Sequence, residues 1–322
     1  MSPDTTRPEV LVTGATTADF YFERVVDGDV GPDVQWVPGG VGTSVARALA
    51  LLDEPPYLAT RLGDDSFARA IARELEDHDV PQTLVTETTA DTPLLFSVPE
   101  AAGGPRWETR LEASSFGFEL PEEAESLFDH LAILHLTGTT LPPDSSLDAM
   151  RTAIDYARAN DVDVSFDMNC RPNQWSDLSR YTDLATEMLG AADVVFASRE
   201  DLRLAGFDDG VGGLFDGFPD RATVTAFLTA AGDGATAIRL DDGGVTARHS
   251  HRGFDVDVVD PAAGGDAFAS AVLAGRTQGV TDLETLVELG NAAGAAAVTS
   301  MGPFRPGDVE TFRSLSGGVP DS

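Results

Sequence analysis

Asp260-Pro-Ala-Ala-Gly-Gly-Asp266-Ala-Phe268 is the stretch around which the rest of the chain can be read. An alternating segment, Phe254 to Val259, precedes it, and an Ala-rich run from Phe268 to Gly275 follows. That order predicts strand, tight glycine turn, helix. A helix that opens in a small-residue turn presents several unpaired backbone N–H groups, and its dipole favours negative charge there. Asp266 stands at the same point, so a carboxylate and an anion-binding turn address one spot. The pairing suits transfer of a charged group onto a hydroxyl. A helix-capping Asp in a packing turn is the plainer alternative.

Outward from this stretch, strands and helices alternate. Glu9–Thr13 is a short apolar strand ending at Gly14. Phe20–Val26 and Val34–Val37 read as strands, and Pro38-Gly39-Gly40 opens a helical run over Ser44–Leu52. Tyr57–Thr60 is a predicted strand and Ser66–Glu76 a helix, with Phe67, Ile71 and Leu75 on one face. Pro93–Val98 and Trp107–Leu111 read as a hairpin around Gly103-Gly104-Pro105. Strands at Ala132–Leu136, Val162–Phe166 and Val194–Phe196 then alternate with helices at Leu147–Ala159, Tyr181–Leu189 and Arg221–Ala231. Thr236–Leu240 and Val245–Ala247 are strands around Asp242-Gly243-Gly244, and Leu283–Thr299 is a long Ala-rich helix. Repetition of this kind predicts an α/β fold with a mostly parallel sheet covered on both faces, and a ligand cleft beyond the carboxyl ends of the strands. One domain over 1–322 accounts for the whole pattern, with two strand insertions at 19–37 and 91–112.

Composition narrows the chemistry. The 322 residues carry 54 acidic and 21 basic side chains, a net charge of −33, with an ordinary 42% hydrophobic content. Nucleic acid and anionic membranes would be repelled, so neither is an expected partner. Acid spread evenly, with no single acidic block, reads as adaptation to a concentrated-salt cytoplasm, where screening removes most self-repulsion. All 21 basic residues are Arg. Without lysine there is no Walker A loop and no lysine Schiff base. The single Cys170 excludes an intramolecular disulfide. No apolar run reaches membrane-spanning length and the start lacks a signal-peptide core, so a cytoplasmic location is expected. His249 and His251 share a strand face without a third nearby ligand, and a solvated pair is the expected reading.

Four motifs in order resemble the ribokinase (PfkB) family of carbohydrate kinases, closest to fructokinases and 2-keto-3-deoxygluconate kinases. Gly14 to Asp19 is similar to the family's Gly-x-x-x-x-Asp, and Gly39-Gly40-Val-Gly-Thr-Ser44-Val-Ala46 to its Gly-Gly-x-x-x-Asn-x-Ala. Gly63-Asp-Asp65-Ser-Phe67-Ala68 is similar to Gly-x-Asp-x-Phe-Gly, and Asp260–Phe268 to Asp-Thr-x-Gly-Ala-Gly-Asp-x-Phe. The resemblance covers nearly the whole chain. It implies a ribokinase-like three-layer α/β/α fold, with the two insertions forming a small β lid that in many relatives also joins a homodimer.

The resemblance also implies transfer of the ATP γ-phosphoryl group to a primary hydroxyl of a sugar or keto-deoxy sugar acid, with magnesium as cofactor and potassium near Asp260. Asp266 is then the base, and the Ala263, Gly264 and Gly265 N–H groups the anion hole. Asp19, Gly39, Gly40 and Ser44 fall on the sugar side. Asp167-Met-Asn169-Cys-Arg171-Pro-Asn-Gln-Trp175 is similar to the Asp-x-Asn-x-Arg-x-x-Leu-Trp of the two named kinase groups. Asn169 and Arg171 are therefore substrate-side candidates; Arg171 suits an acid sugar, the ATP phosphates, or a bracing role. Glu200 and Asp260 are the metal-side candidates, and Arg239, Asp241, Gly244 and Asn291 the nucleotide-side ones. Ser44, Ala197, Asp241 and Ala263 depart from the family residues. A nucleoside kinase of the same family and a degenerate sugar- or nucleotide-binding relative stay open beside the sugar kinase.

Overall fold

The computed structural model describes residues 8–317 other than 23–24, 27–28, 32, 99–105, 214–222 and 242–243. The chain opens with β1 (Val10–Thr13), every residue of which is buried. It then leaves the core to build β2 (Thr17–Phe22), a two-residue pair β3 (Val25–Val26) and β4 (Asp29–Val30), and β5 (Val34–Gly39). Helix α1 (Val41–Leu51), β6 (Tyr57–Leu62), α2 (Ser66–Asp77) and β7 (Val85–Glu87) return it to the core. β8 (Leu94–Val98) and β9 (Arg106–Arg110) form the second excursion.

Regular alternation follows through β10 (Ile133–Thr137), α3 (Asp144–Ala159), β11 (Asp163–Asp167), α4 (Leu178–Ala191), β12 (Val194–Ser198) and α5 (Arg199–Leu204). The chain ends with β13 (Thr223–Thr229), β14 (Ala235–Asp241), β15 (Gly244–His251), α6 (Gly264–Thr277), α7 (Leu283–Ala297) and α8 (Pro306–Ser316).

Nine strands make the central sheet, in the order β15-β14-β13-β12-β11-β10-β1-β6-β7. The pairings from β7 to β13 are parallel, and β14 and β15 are added antiparallel. Alternate residues of each strand feed opposite cores. On one face Leu134, Leu136, Val195 and Ala197 pack with Ile154 of α3 and Tyr181 of α4. On the other, Val10, Val12, Val194 and Phe196 pack with Val45 of α1, Ile71 of α2 and the α6–α7–α8 group. This is the three-layer α/β/α arrangement the motifs imply. Strand order reverses between β1 and β10, and the crevice beyond their carboxyl ends is where such sheets bind ligands. The two excursions meet in a separate four-stranded sheet, β5-β2-β8-β9, standing over that crevice as the expected lid.

Two predicted elements are corrected. Residues 221–231, read as a helix, contain β13; Thr223, Val224, Thr225 and Thr229 are β-branched, and five consecutive residues of the strand are buried between two layers. Phe254–Val259 is not a strand. Its alternation reflects single contacts, such as Phe254 against the His251 ring at 4.9 Å, while Val258 and Val259 are 62% and 58% exposed. The Val259 and Asp260 N–H groups donate to the Val298 carbonyl after α7 instead of to a neighbouring strand. The helices α5 and α8 were not expected, and the turn of the β8–β9 hairpin lies outside the described residues.

Helix α6 is seated on α7 by close approach. Phe268 of α6 stacks into Phe196 and Phe227, with centroids at 6.2 and 5.9 Å, and presses on Gly290 of α7. A Cβ at Gly290 would lie 2.6 Å from the Phe268 ring, which has no room to move between its aromatic neighbours. Gly290→Ala is therefore expected to destabilise the fold by about 1–3 kcal/mol of overpacking, partly offset by roughly 1 kcal/mol of better helix propensity. Urea unfolding of the purified variant measures the difference.

Candidate active site

The carboxyl ends of β1, β10, β11 and β12, the turn before α6 and the inner face of the lid enclose a cavity of about 460 Å³. Asp19, Gly40, Ser44, Thr139, Arg171, Glu200, Ala263 and Asp266 line it. A smaller cavity of about 180 Å³ adjoins, lined by Asp167, Asn169, Ala197, Asp201, Thr229 and Gly265. Cys170, Arg171, Glu200, Ala262 and Asp266 belong to both, so Asp266 stands at the junction.

Asp19 sits on the cleft face of the lid strand β2, its carboxylate accepting from the Thr17 hydroxyl and the Gly40 N–H. Two glycines make this possible. A Cβ at Gly39 would fall 2.1 Å from an Asp19 carboxylate oxygen, and Gly40 has φ +85°, a conformation L side chains rarely take. Behind them Arg47 of α1 is buried, donates to the Pro38 carbonyl at 2.7 Å and pairs with Glu74 of α2. Arg47 was not singled out in the sequence, although an Arg within a buried helix face is the available signal.

At α6 the turn has the expected form. Ala263 has φ −91° in the right-handed region, so an alanine stands in place of glycine without backbone strain. Gly265 is exposed and a Cβ there would meet nothing within 4 Å, which leaves room for an anion against the backbone. Gly264 is a partial correction. Its N–H turns back to the Pro261 carbonyl at 3.4 Å, and its small size serves packing on Val298 and Gly294.

Burial dominates the electrostatics. It raises Asp266 from 3.8 to about 7, with Arg171 pulling it down and Asp19 pushing it up. Asp19 is raised to about 6, again by burial, against its bond from Thr17. Asp167 is held well above the carboxylate range by burial and by the neighbouring Asp201 and Asp266. Burial pushes the Cys170 thiol up to about 11, so it is not a nucleophile here. Asp201, missed in the sequence, ties two rims together: it accepts from the Cys170 N–H at 2.8 Å and from the Ser198 N–H and hydroxyl at 2.9 and 2.6 Å. Asn169, at φ 33°, places its amide 3.5 Å from Asp167.

The nucleotide-side expectations need correction. Asp241 pairs with Thr223 and Arg239 with Thr225, at the amino end of β13, so Arg239, Asp241 and Gly244 lie on the opposite edge of the sheet from the cleft. Arg239 donates to the Thr281 carbonyl instead. The same hairpin reaches the carboxyl edge at Thr229–Gly234, and Thr229 lines the smaller cavity. Asn291 is buried in α7, its amide donating to the Val287 carbonyl, and lines neither cavity. Asp260 is likewise buried; its two oxygens accept from Ala262 and Gly302 N–H groups, bracing the turn. Of the metal-side pair, only Glu200 reaches the cleft.

Among the described residues no three His, Cys, Asp or Glu side chains converge on one metal position. Glu200 and Asp167 line the smaller cavity, and one or two carboxylates there fit a hard cation that completes its shell with phosphate and water. Among the described residues no helix is long and apolar enough to cross a membrane.

Comparison with known proteins identifies the family. The model of the pfkB family carbohydrate kinases matches residues 7–308. The chain belongs to this family and is a carbohydrate kinase, a phosphotransferase. It is similar to 5-dehydro-2-deoxygluconokinase 2 of Bacillus cereus, 26% identical over 277 residues, with 81% of this chain and 80% of the relative covered. It is also similar to Fructokinase-1 of Oryza sativa, 27% identical over 300 residues, with 86% and 88% covered. An E. coli protein assigned as a ribokinase II, solved with ATP and Mg2+, shares the fold at TM-score 0.79 and 19% identity, with 96% of this chain and 99% of that chain covered.

The raised Asp266 makes a signed prediction. A folded pKa near 7 against 3.8 means the native state holds a proton across roughly pH 4–7 that the unfolded chain has lost, so this group's contribution to stability falls as pH rises through that window. Asp266→Asn should therefore melt at higher temperature than the parent at pH 8, with the gain disappearing toward pH 4. Calorimetric melts at both pH values check it, and equal gains at both would contradict the assignment.

Proposed function

We propose that the chain transfers the γ-phosphoryl group of ATP to a primary hydroxyl of a sugar or keto-deoxy sugar acid. The observation that carries this is the placement of Asp266 at the junction of two cavities, beside the opening turn of α6 and across from Asp19. Asp19 and Ser44 orient the acceptor's hydroxyl groups, with Gly39 and Gly40 letting the backbone close on the sugar. Asp266 accepts the hydroxyl proton as the oxygen attacks, and its raised pKa makes it a better base than an ordinary carboxylate. The Ala263 and Gly265 N–H groups and the α6 dipole hold the anionic phosphoryl oxygens, and Arg171 adds the cation. Glu200, with Asp167 beside it, would hold magnesium, which when bound neutralises phosphate charge. The Thr229–Gly234 turn takes the nucleotide side in place of the 239–244 segment.

Support for the acceptor comes from the relatives, named for a neutral sugar in one case and a sugar acid in the other. The lid's outer face stacks Phe20 on Phe96 at 5.3 Å and leaves Trp36 and Val34 exposed, and a homodimer through this face is part of the same reading. The net charge of −33, spread along the chain, supports the reading of an enzyme adapted to a salt-rich cytoplasm.

ADP release in high KCl, across sugars, keto-deoxy acids and nucleosides, tests the activity. Asp266→Asn should lower kcat by about 10²–10⁴-fold with sugar affinity nearly intact. A rate profile on the parent should rise with pH to a plateau above about 7, since Asp266 must be ionised to act. An unchanged rate in the variant would remove Asp266 from the mechanism; ATP binding without turnover on any acceptor would make the chain a binder.

A further inference from the structure

The lid has two faces, and its strand registers sort the residues. Across β5-β2-β8-β9 one row reads Val37, Asp19, Leu95, Thr109, and a second reads Gln35, Tyr21, Ser97, Trp107. Side chains alternate along strands, so these rows share a face. It is the cleft face: Asp19, Tyr21, Leu95, Trp107 and Thr109 line the larger cavity. The intervening row, Trp36, Phe20, Phe96, Glu108, faces away. Arg106 and Arg110 belong to that outer face; Arg106 pairs with Glu108, and Arg110 lies over the Phe96 ring at 5.9 Å.

Among the described residues, the lid therefore offers the cleft one carboxylate and no cation. Beside Asp19 and Thr109, the lid's cleft face is apolar and aromatic. Tyr21 and Trp107 meet edge to face at 5.9 Å, and Leu95, Leu111 and Phe116 extend the surface. Among the described residues Arg171 is the one positively charged residue lining the larger cavity, and it is shared with the smaller cavity, where it offsets Asp167 and Asp266. A substrate carboxylate under the lid would face Asp19 and an apolar wall, and a buried carboxylate without a partner is strongly unfavourable. The C–H face of a neutral sugar meets the same wall without that cost, as in other apolar pockets with a few polar anchors.

We propose that the acceptor is a neutral sugar rather than a sugar acid, and that Trp107 and Thr109 set this preference from the lid. The proposal rests on the reading of the cleft as the acceptor site of a kinase, and deepens it. Its test compares D-fructose with 2-keto-3-deoxygluconate by two readouts: kcat/KM with ATP and Mg2+, and direct binding by calorimetry. The parent should favour fructose by about tenfold or more in both, the scale of one charge-assisted contact. Thr109→Arg, which puts a cation on the cleft face of a half-buried strand, should raise kcat/KM for the acid by about tenfold and lower it for fructose. Trp107→Ala should weaken fructose and leave the KM for ATP unchanged.

Preference of the parent for the acid, an unmoved ratio in Thr109→Arg, or binding of neither sugar would overturn the proposal. Fructose binding without ADP release would support it while rejecting the kinase reading, so the two failures are distinguishable.

Discussion

The contact between α6 and α7 is the constraint on which the site depends. Gly264 and Gly294 bring the two helices together so closely that a Cβ at 294 would sit 3.0 Å from the Gly264 carbonyl. Phe268 locks the next turn into Phe196 and Phe227, which belong to the strands β12 and β13. Asp260 then anchors the preceding turn to Gly302, beyond α7. The opening of α6 is thus held from the sheet, the neighbouring helix and the following loop at once. An anion site made of backbone N–H groups has no side chain to adjust, so its accuracy comes entirely from this packing.

A second consequence concerns charge. The fold places Asp19, Asp167, Asp201 and Asp266 around one cleft in a chain already carrying −33. Among the described residues Arg47 and Arg171 offset them, and Arg47 is engaged with Glu74. Burial raises Asp19, Asp167 and Asp266 above the ordinary carboxylate range, which lowers the charge these three carry in a small volume.

Much of the fold was legible in the sequence because buried parallel strands and amphipathic helices write distinct periods. The turn before α6, the double glycine at 39–40 and the clustering of Asp19, Ser44, Arg171, Glu200 and Asp266 all follow from motifs at strand ends. The failures have physical causes. Thr223–Thr229 is short and apolar, and such runs do not distinguish strand from helix until their neighbours are known. The nucleotide-side candidates Arg239, Asp241 and Gly244 fall at the sheet edge away from the cleft, because strand direction within a sheet cannot be told from local sequence. Thr229 at one end of the hairpin and Asp241 at the other look alike until β13 is seen to run parallel to β12. Arg47 and Asp201 act through groups distant in sequence, and no spacing rule points to them. Trp107 and Thr109 needed the strand register of the lid, which decides which residues of β9 face the cleft.

The alternation in β9 separates two kinds of inheritance. Trp107 and Thr109 belong to the interior of the cleft, while Arg106, Glu108 and Arg110 belong to the outside. Single substitutions on this strand can redirect what the enzyme accepts without disturbing what the lid's back surface meets, and the reverse. A one-residue insertion or deletion would exchange the two sets together. Drift by substitution is therefore open to this lid, whereas drift by length in β9 is closed.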